Sequence, residues 1–499
     1  MHRASALLTG SFAILAGVIF GLPSCGSSDD VGFNPLDDGG RVDDGSFTPR
    51  PDGGGPRPCT TGLCLKRVSC PGGGDTTITG TVYDPAGKVP LYNAFVFVPN
   101  APLQKIPTGA SCDRCDSGSN VYSGDPVSSA LTDASGKFTL KNVPVDNNIP
   151  LVVQIGKWRR ENVKINVTKS CGENPVAAEV TRLPKNSGEG SIPHIALATG
   201  GWDSMECLLR RMGLDSSEFS TKGAAGDGRV HLFQGQGSGT QKPTIKFDND
   251  VAGGASFANA GTDMWSNVDQ LKAYDMVILS CEGARFPDSK PESARNALYE
   301  YEKIGGRVFA SHWHDIWFSQ GPSPVPAIGR WTNSSQENDR DTQVAEVNEK
   351  FPKGKAFSDW LQNVQATSAK GKLPIEQARR NLSLPLGSRA QDWATIPNYM
   401  WRKNNVDDPP TLASPPEAVQ FVSYNAPLDK PEAEACGRAV YSGLHVSSGA
   451  RKDNIGQTFP GAECISGDLS PQEKALEFML FDLSSCISKD TEPPPPPIH

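Results

Sequence analysis

Short runs in which apolar and polar residues alternate fill the chain from Thr76 to about Leu183. Thr77–Tyr83, Ala94–Val98, Lys137–Leu140, Ile149–Ile155 and Asn162–Val167 are bounded by turn residues such as Asp84-Pro85-Ala86-Gly87 and Asp133-Ala134-Ser135-Gly136. Regular short strands without helical spacing between them predict a β-sandwich over 76–184. From Ser191 the pattern changes. Continuous apolar runs at His194–Thr199, Asp275–Ser280, Arg307–His312 and Cys436–Ser442 alternate with helical spacing at Trp202–Met212 and Pro291–Ile304. That alternation predicts an open parallel α/β sheet over 190–487. The last helix opens on Ser470-Pro471-Gln472-Glu473, the residues of a capping box. Between 322 and 416 the pattern weakens to one helix near Lys355–Gln365 and much Pro- and Asn-rich loop, which reads as an insertion or cap.

The flanks are not core material. Arg3 precedes an uncharged apolar run from Ala4 to Leu22, and small residues lead to Cys25. These are the parts of a secretory signal over 1–25. Gly10, Gly17 and Gly21 interrupt the run, and a polar tract follows it, which argues against a spanning helix. Residues 26–75, rich in Gly, Asp and Pro, read as an acidic tether, and 488–499 as a Pro-rich tail. A formal net charge of −8 without a dense basic cluster excludes a nucleic-acid partner.

Twelve cysteines suit an exported protein. Cys59, Cys64, Cys70, Cys112, Cys115 and Cys171 lie in or beside the sandwich region and are disulfide candidates whose pairing spacing does not decide. Cys112 and Cys115 have the spacing of half a zinc knuckle or a redox dithiol, but two disulfides pinning the local insertion fit an exported chain better. Cys207, Cys281, Cys436, Cys464 and Cys486 are odd in number, so one is expected to be free or to pair outside its region.

Three resemblances add to this reading. Leu22-Pro23-Ser24-Cys25 resembles a bacterial lipoprotein signal, which implies a lipid on Cys25 and, with Gly26 next, a place at the outer membrane or cell surface. Gly80-Thr81-Val82, Ala94-Phe95-Val96, Thr132-Asp133-Ala134-Ser135-Gly136-Lys137-Phe138 and Val143-Pro144 resemble the carboxypeptidase regulatory-like domain, a transthyretin-like sandwich akin to CnaB-type repeats. Such a module implies a structural or binding accessory. The strand after Tyr274-Asp275, the helix ending at Gly305-Gly306 and the strands ending at His312 and His445 resemble the ThuA-like branch of the class I glutamine amidotransferase-like fold. In amidotransferases the strand after the paired glycines delivers a nucleophilic cysteine. This chain has Ser311 or His312 there, so the resemblance does not imply glutaminase activity.

Ligands of open α/β sheets sit at the carboxyl ends of the strands. That rule gathers Gly200, Gly201, Asp203, Cys281, Glu282, His312, His314, Asp315 and His445 toward one edge. Of seven histidines in the chain, three would meet there. His312, His445 and Ser311 are the catalytic candidates, as base or nucleophile. Gly200, Gly201, Asp203, Glu282 and Trp313 are binding candidates. A set of His312, His314 and His445 would take zinc or iron, although no cofactor is the first expectation. Cys281 would be either a nucleophile near Glu282 or, as a cysteine closing a buried strand, inert packing, and packing is the first expectation. Trp313, Trp317 and Phe318 would either stack on a sugar or fill the core. The expected function is binding or scaffolding at the envelope, toward a glycan or an envelope protein. The alternative is a hydrolase or sugar-modifying enzyme using His312 and His445.

Overall fold

A computed structural model describes residues 59–116, 121–237, 257–332, 341–385, 387–401, 409–446, 459, 464 and 467–495. The signal, Cys25 and most of the tether lie outside the described residues. The dominant element is a ten-stranded sheet. Its order is Phe219–Ser220, Val230–Gln234, Ile195–Thr199, Met276–Leu279, Arg307–Ser311, Gly437–Ser442, Ala418–Ala426, Gln391–Ile396, Gln343–Val347 and Lys372–Ile375. The first six pair in parallel and the last four join antiparallel. The sheet is therefore mixed, not parallel throughout. The stretch 322–416 is not a cap either. Its strands carry the sheet three positions past Ala418–Ala426, which reverses direction beside the parallel half, and its helix Pro352–Asn363 packs beneath them.

The parallel strands are buried on both faces, and their side chains alternate between two cores. Ala196, Ala198, Val277, Leu279, Val308 and Ala310 face one core. Ile195, Leu197, Met276, Ile278, Phe309 and Val440 face the other. That second core continues into the N-terminal region, where a three-stranded sheet around Thr77–Thr81 and a five-stranded sheet around Phe95–Pro99 contribute Ile78, Val96, Val98, Ile155 and Trp158.

Helix Pro471–Ser484 fills the seam. Ser470 and Glu473 form the reciprocal capping box that starts it, and nearly every residue is buried. Phe478 stacks on Tyr92 and Phe481 meets Trp158 edge-on. The two regions set apart by their sequence patterns thus share one hydrophobic core and belong to one compact unit.

Covalent links reinforce the seam. The disulfides are Cys59–Cys64, Cys70–Cys171, Cys112–Cys436, Cys115–Cys486 and Cys207–Cys464. Cys112 and Cys115 do pin their insertion, but to the α/β region, so the six N-terminal cysteines do not pair only among themselves. Cys281 is left as the free thiol among the described residues. Two assigned boundaries also shift. Residues from Cys59 onward pack on the sandwich, with Val145 N–H donating to the Lys66 carbonyl. Asp490, placed in the tail, is buried and paired with Arg438 and Lys353. Five disulfides match an extracellular or otherwise oxidising compartment. No described helix is long and apolar enough to cross a membrane.

Candidate functional site

Four adjacent parallel strands each deliver one polar residue from the carboxyl end. Ile195–Thr199 leads to Asp203, Met276–Leu279 to Cys281, Arg307–Ser311 to His312, and Gly437–Ser442 to His445. The first two strands flank the point where the chain order reverses in the sheet, the usual place for a ligand crevice. Gly200 makes this approach possible. A Cβ there would stand 2.0 Å from the Cys281 carbonyl oxygen. His312 turns at φ 50°, the left-handed region that side chains rarely adopt, and so swings its ring back over the strand ends.

Asp203 is the hub. His445 Nδ1–H donates to its Oδ1 at 2.8 Å, and the Val446 N–H reaches the same oxygen at 3.0 Å. The Ser311 hydroxyl donates to Oδ2 at 2.6 Å, and the Cys281 N–H at 3.2 Å. Burial opposes the charge of Asp203, but His445 and these donors outweigh it and hold the carboxyl below its usual range. Burial likewise opposes charge on His445, yet Asp203 and the Cys281 sulfur hold its ring well above the ordinary histidine value. Burial pushes the Cys281 thiol up, with partial relief from His445. His312 is pushed well below the usual range by burial, then by His445 and Arg379.

The sulfur of Cys281 lies 3.5 Å from His312 Nδ1 and accepts the Gly283 N–H at 3.4 Å. The His312 and His445 rings stack at 4.0 Å with 29° between planes. Donor atoms of Cys281, His312 and His445 all lie within 4.8 Å of one another. The cluster is sealed: Cys281 is 0 % exposed, Asp203 and His312 1 % and His445 5 %.

Other expected members lie elsewhere. His314 does not join the metal set. Its Nε2–H donates to the Ser280 carbonyl at 2.8 Å and its Nδ1 accepts from Trp317 at 2.9 Å, so both nitrogens are spent in the core. Glu282 turns away to the buried Lys290 ammonium and the Gln236 N–H. Asp315 pairs with Arg285 and Arg379. Trp313 lies against Arg379, whose guanidinium is 3.6 Å from the ring centre. Trp317 and Phe318 are core residues. Gly201 is a buried bend beside Trp202, which is 40 % exposed at this edge and was not singled out by its sequence context. The indole of Trp202 lies over Gly283, where an added Cβ would meet its Nε1 at 2.0 Å.

Cys281 is fully buried, as packing requires, and it also stands at the end of the strand beside His312 with its sulfur next to two histidines. The strand-end rule had already gathered Cys281 to this edge; what it could not give was the contact with His312 at 3.5 Å.

Comparison with known proteins gives little to lean on. No protein-family model matches the chain, and no curated protein matches it. Among solved structures, a ThuA-like protein from Bacteroides uniformis is 12 % identical. That match covers 56 % of this chain and 95 % of the other at a TM-score of 0.25. Two interface mutants of a type II cohesin–X-dockerin complex from Acetivibrio cellulolyticus are 15 % and 14 % identical. They cover 30 % of this chain and 76 % and 77 % of theirs, at TM-scores of 0.14 and 0.15. These scores are too low to carry an argument about this chain, whose fold rests on its own sheet order.

Proposed function

We propose that this is an exported binding or scaffolding protein of the cell envelope, attached through a lipid on Cys25 at the outer membrane or cell surface, with a glycan as its ligand. The N-terminal region, read as a transthyretin-like module of the carboxypeptidase regulatory-like kind, and the ThuA-like α/β region act as one rigid body. The observation that carries this reading is the sealed polar cluster in a unit welded by a shared core and two cross-region disulfides. An open reaction centre is not what such a unit presents. What it presents at that edge is Trp202, a flat aromatic surface of the sort on which the apolar face of a sugar ring stacks. The test is retention of the purified protein on insoluble envelope polysaccharide. Wild type should be retained and Trp202→Ala released with its melting midpoint unchanged; equal retention of both would end the glycan assignment. Anchoring is read separately, since Cys25→Ser should move the protein from the membrane fraction to the soluble one.

A second reading, a thiol hydrolase, is favoured by one observation: the Asp203–His445 pair beside the Cys281 thiol has the order of an orienting acid, a base and a nucleophile. Under that reading Cys281→Ser abolishes turnover of an ester or amide substrate while the fold survives. Rapid alkylation of native Cys281 by iodoacetamide would favour it over the scaffold.

A further inference from the structure

We propose that Cys281, His312 and His445 bind a transition-metal ion of the zinc or copper type, with Asp203 as the group that orients the site. Three kinds of observation point there. The donor set is one sulfur and two imidazole nitrogens within 4.8 Å of one another, which suits thiophilic and borderline ions and not Mg2+ or Ca2+. The supports are those of a metal site. Asp203 takes the His445 Nδ1–H at 2.8 Å, which leaves Nε2 to face the cluster. A carboxylate behind a ligating histidine fixes its tautomer and raises its basicity. The Cys281 sulfur receives the Gly283 N–H at 3.4 Å, a donor that supports a metal-bound thiolate. Finally, the charges close. A thiolate on Cys281 and the Asp203 carboxylate together carry −2, which Zn2+ neutralises fully and Cu+ by half inside a site almost without solvent contact.

Capture requires one adjustment. The His312 and His445 rings overlap with 29° between planes, so their lone pairs do not yet meet at a point. Rotation of the His312 side chain brings its Nδ1, already 3.5 Å from the sulfur, onto the ion. On binding, the Cys281 thiol loses its proton to solvent and a metal–sulfur bond replaces the S–H bond. A proton carried on His445 Nε2 leaves in the same way, and no electron is transferred. Because the site is sealed, the ion enters as the chain folds around it.

The experiment is metal analysis of the exported chain purified from zinc-supplemented medium. Refolding of stripped protein with Zn2+, Cu+ or Mg2+ accompanies it. One zinc or copper per chain is expected after gel filtration. The ion should be absent from Cys281→Ser and His445→Gln and kept by His194→Gln, which lies at the amino-terminal end of strand Ile195–Thr199, away from the cluster. Zn2+ or Cu+ should raise the melting midpoint and Mg2+ should not. The wild-type refolding series decides the matter even where a variant fails to fold. Substoichiometric metal together with no shift from either ion overturns the proposal. The glycan reading stands or falls on polysaccharide retention, so metal-free protein that still binds polysaccharide would overturn this inference alone.

Discussion

The Asp203 carboxylate meets the His445 ring at 2.8 Å across a sequence separation of 242 residues, with both groups buried. One oxygen holds the ring and the Val446 N–H, and the other holds Ser311 and the Cys281 N–H, so one side chain ties together the ends of all four parallel strands at the site.

Breaking that tie should cost more than any single hydrogen bond. Asp203→Asn leaves His445 without its counter-charge in a dry environment, and removing one partner of a buried ion pair costs about 3–5 kcal/mol. Ser311→Ala removes one donor and should cost about 1–2 kcal/mol. Urea unfolding midpoints of the two variants, compared at equal slope, check both the order and the gap.

Glu302 makes stability depend on pH. Burial pushes its carboxyl up to about 8, partly offset by the Tyr424 hydroxyl that donates to it at 2.7 Å. The folded state therefore holds this proton more tightly than the unfolded chain. Its contribution is complete below the ordinary glutamate value and is lost as pH rises through about 8. A loss on the order of 3–5 kcal/mol is expected between pH 4.5 and 9. Thermal melts across that range should show the decline in wild type and a flatter profile in Glu302→Gln. An unchanged profile in the variant would remove Glu302 as the cause.

The cross-region disulfides should be visible as peptides. Proteolysis without reduction is expected to release Cys112 linked to Cys436 and Cys115 linked to Cys486. Replacing either pair by serine should cost about 2–5 kcal/mol. Mass mapping that returned a Cys112–Cys115 loop would contradict the pairing.

Gly156 is where the sandwich presses on the end of helix Pro471–Ser484. It sits at φ 51°, and an added Cβ would lie 1.7 Å from the Ser484 carbonyl oxygen. Gly156→Ala should therefore destabilise by more than about 1 kcal/mol, because neither the backbone angle nor the contact tolerates a side chain. A melting midpoint equal to wild type would mean the seam is looser than this contact implies.

Local signals were legible where the physics is local. Strand Met276–Leu279 follows from an unbroken apolar run, helix Glu292–Lys303 from its spacing and its glycine stop, and the start of helix Pro471–Ser484 from the capping box at Ser470. The gathering of Asp203, His312 and His445 at one edge follows from strand direction alone. Other features were not legible. Nothing near His314 says that Trp317 and the Ser280 carbonyl occupy its ring nitrogens, and nothing near Glu282 names Lys290 as its partner.

What the sequence by itself determined is thus the periodic content: alternating short strands, then buried strands and amphipathic helices, with polar residues at the strand ends. These depend on neighbours within a few positions, where backbone geometry converts spacing directly into a shared face. What only the tertiary structure decided is who meets whom. It joined Cys112 to Cys436, turned the 322–416 stretch into sheet, merged the two cores over Phe478, and set the Cys281 thiol between two histidines. Such pairings join residues from tens to hundreds of positions apart, and hydrophobic burial that drives them is non-directional, so no local pattern encodes the partner.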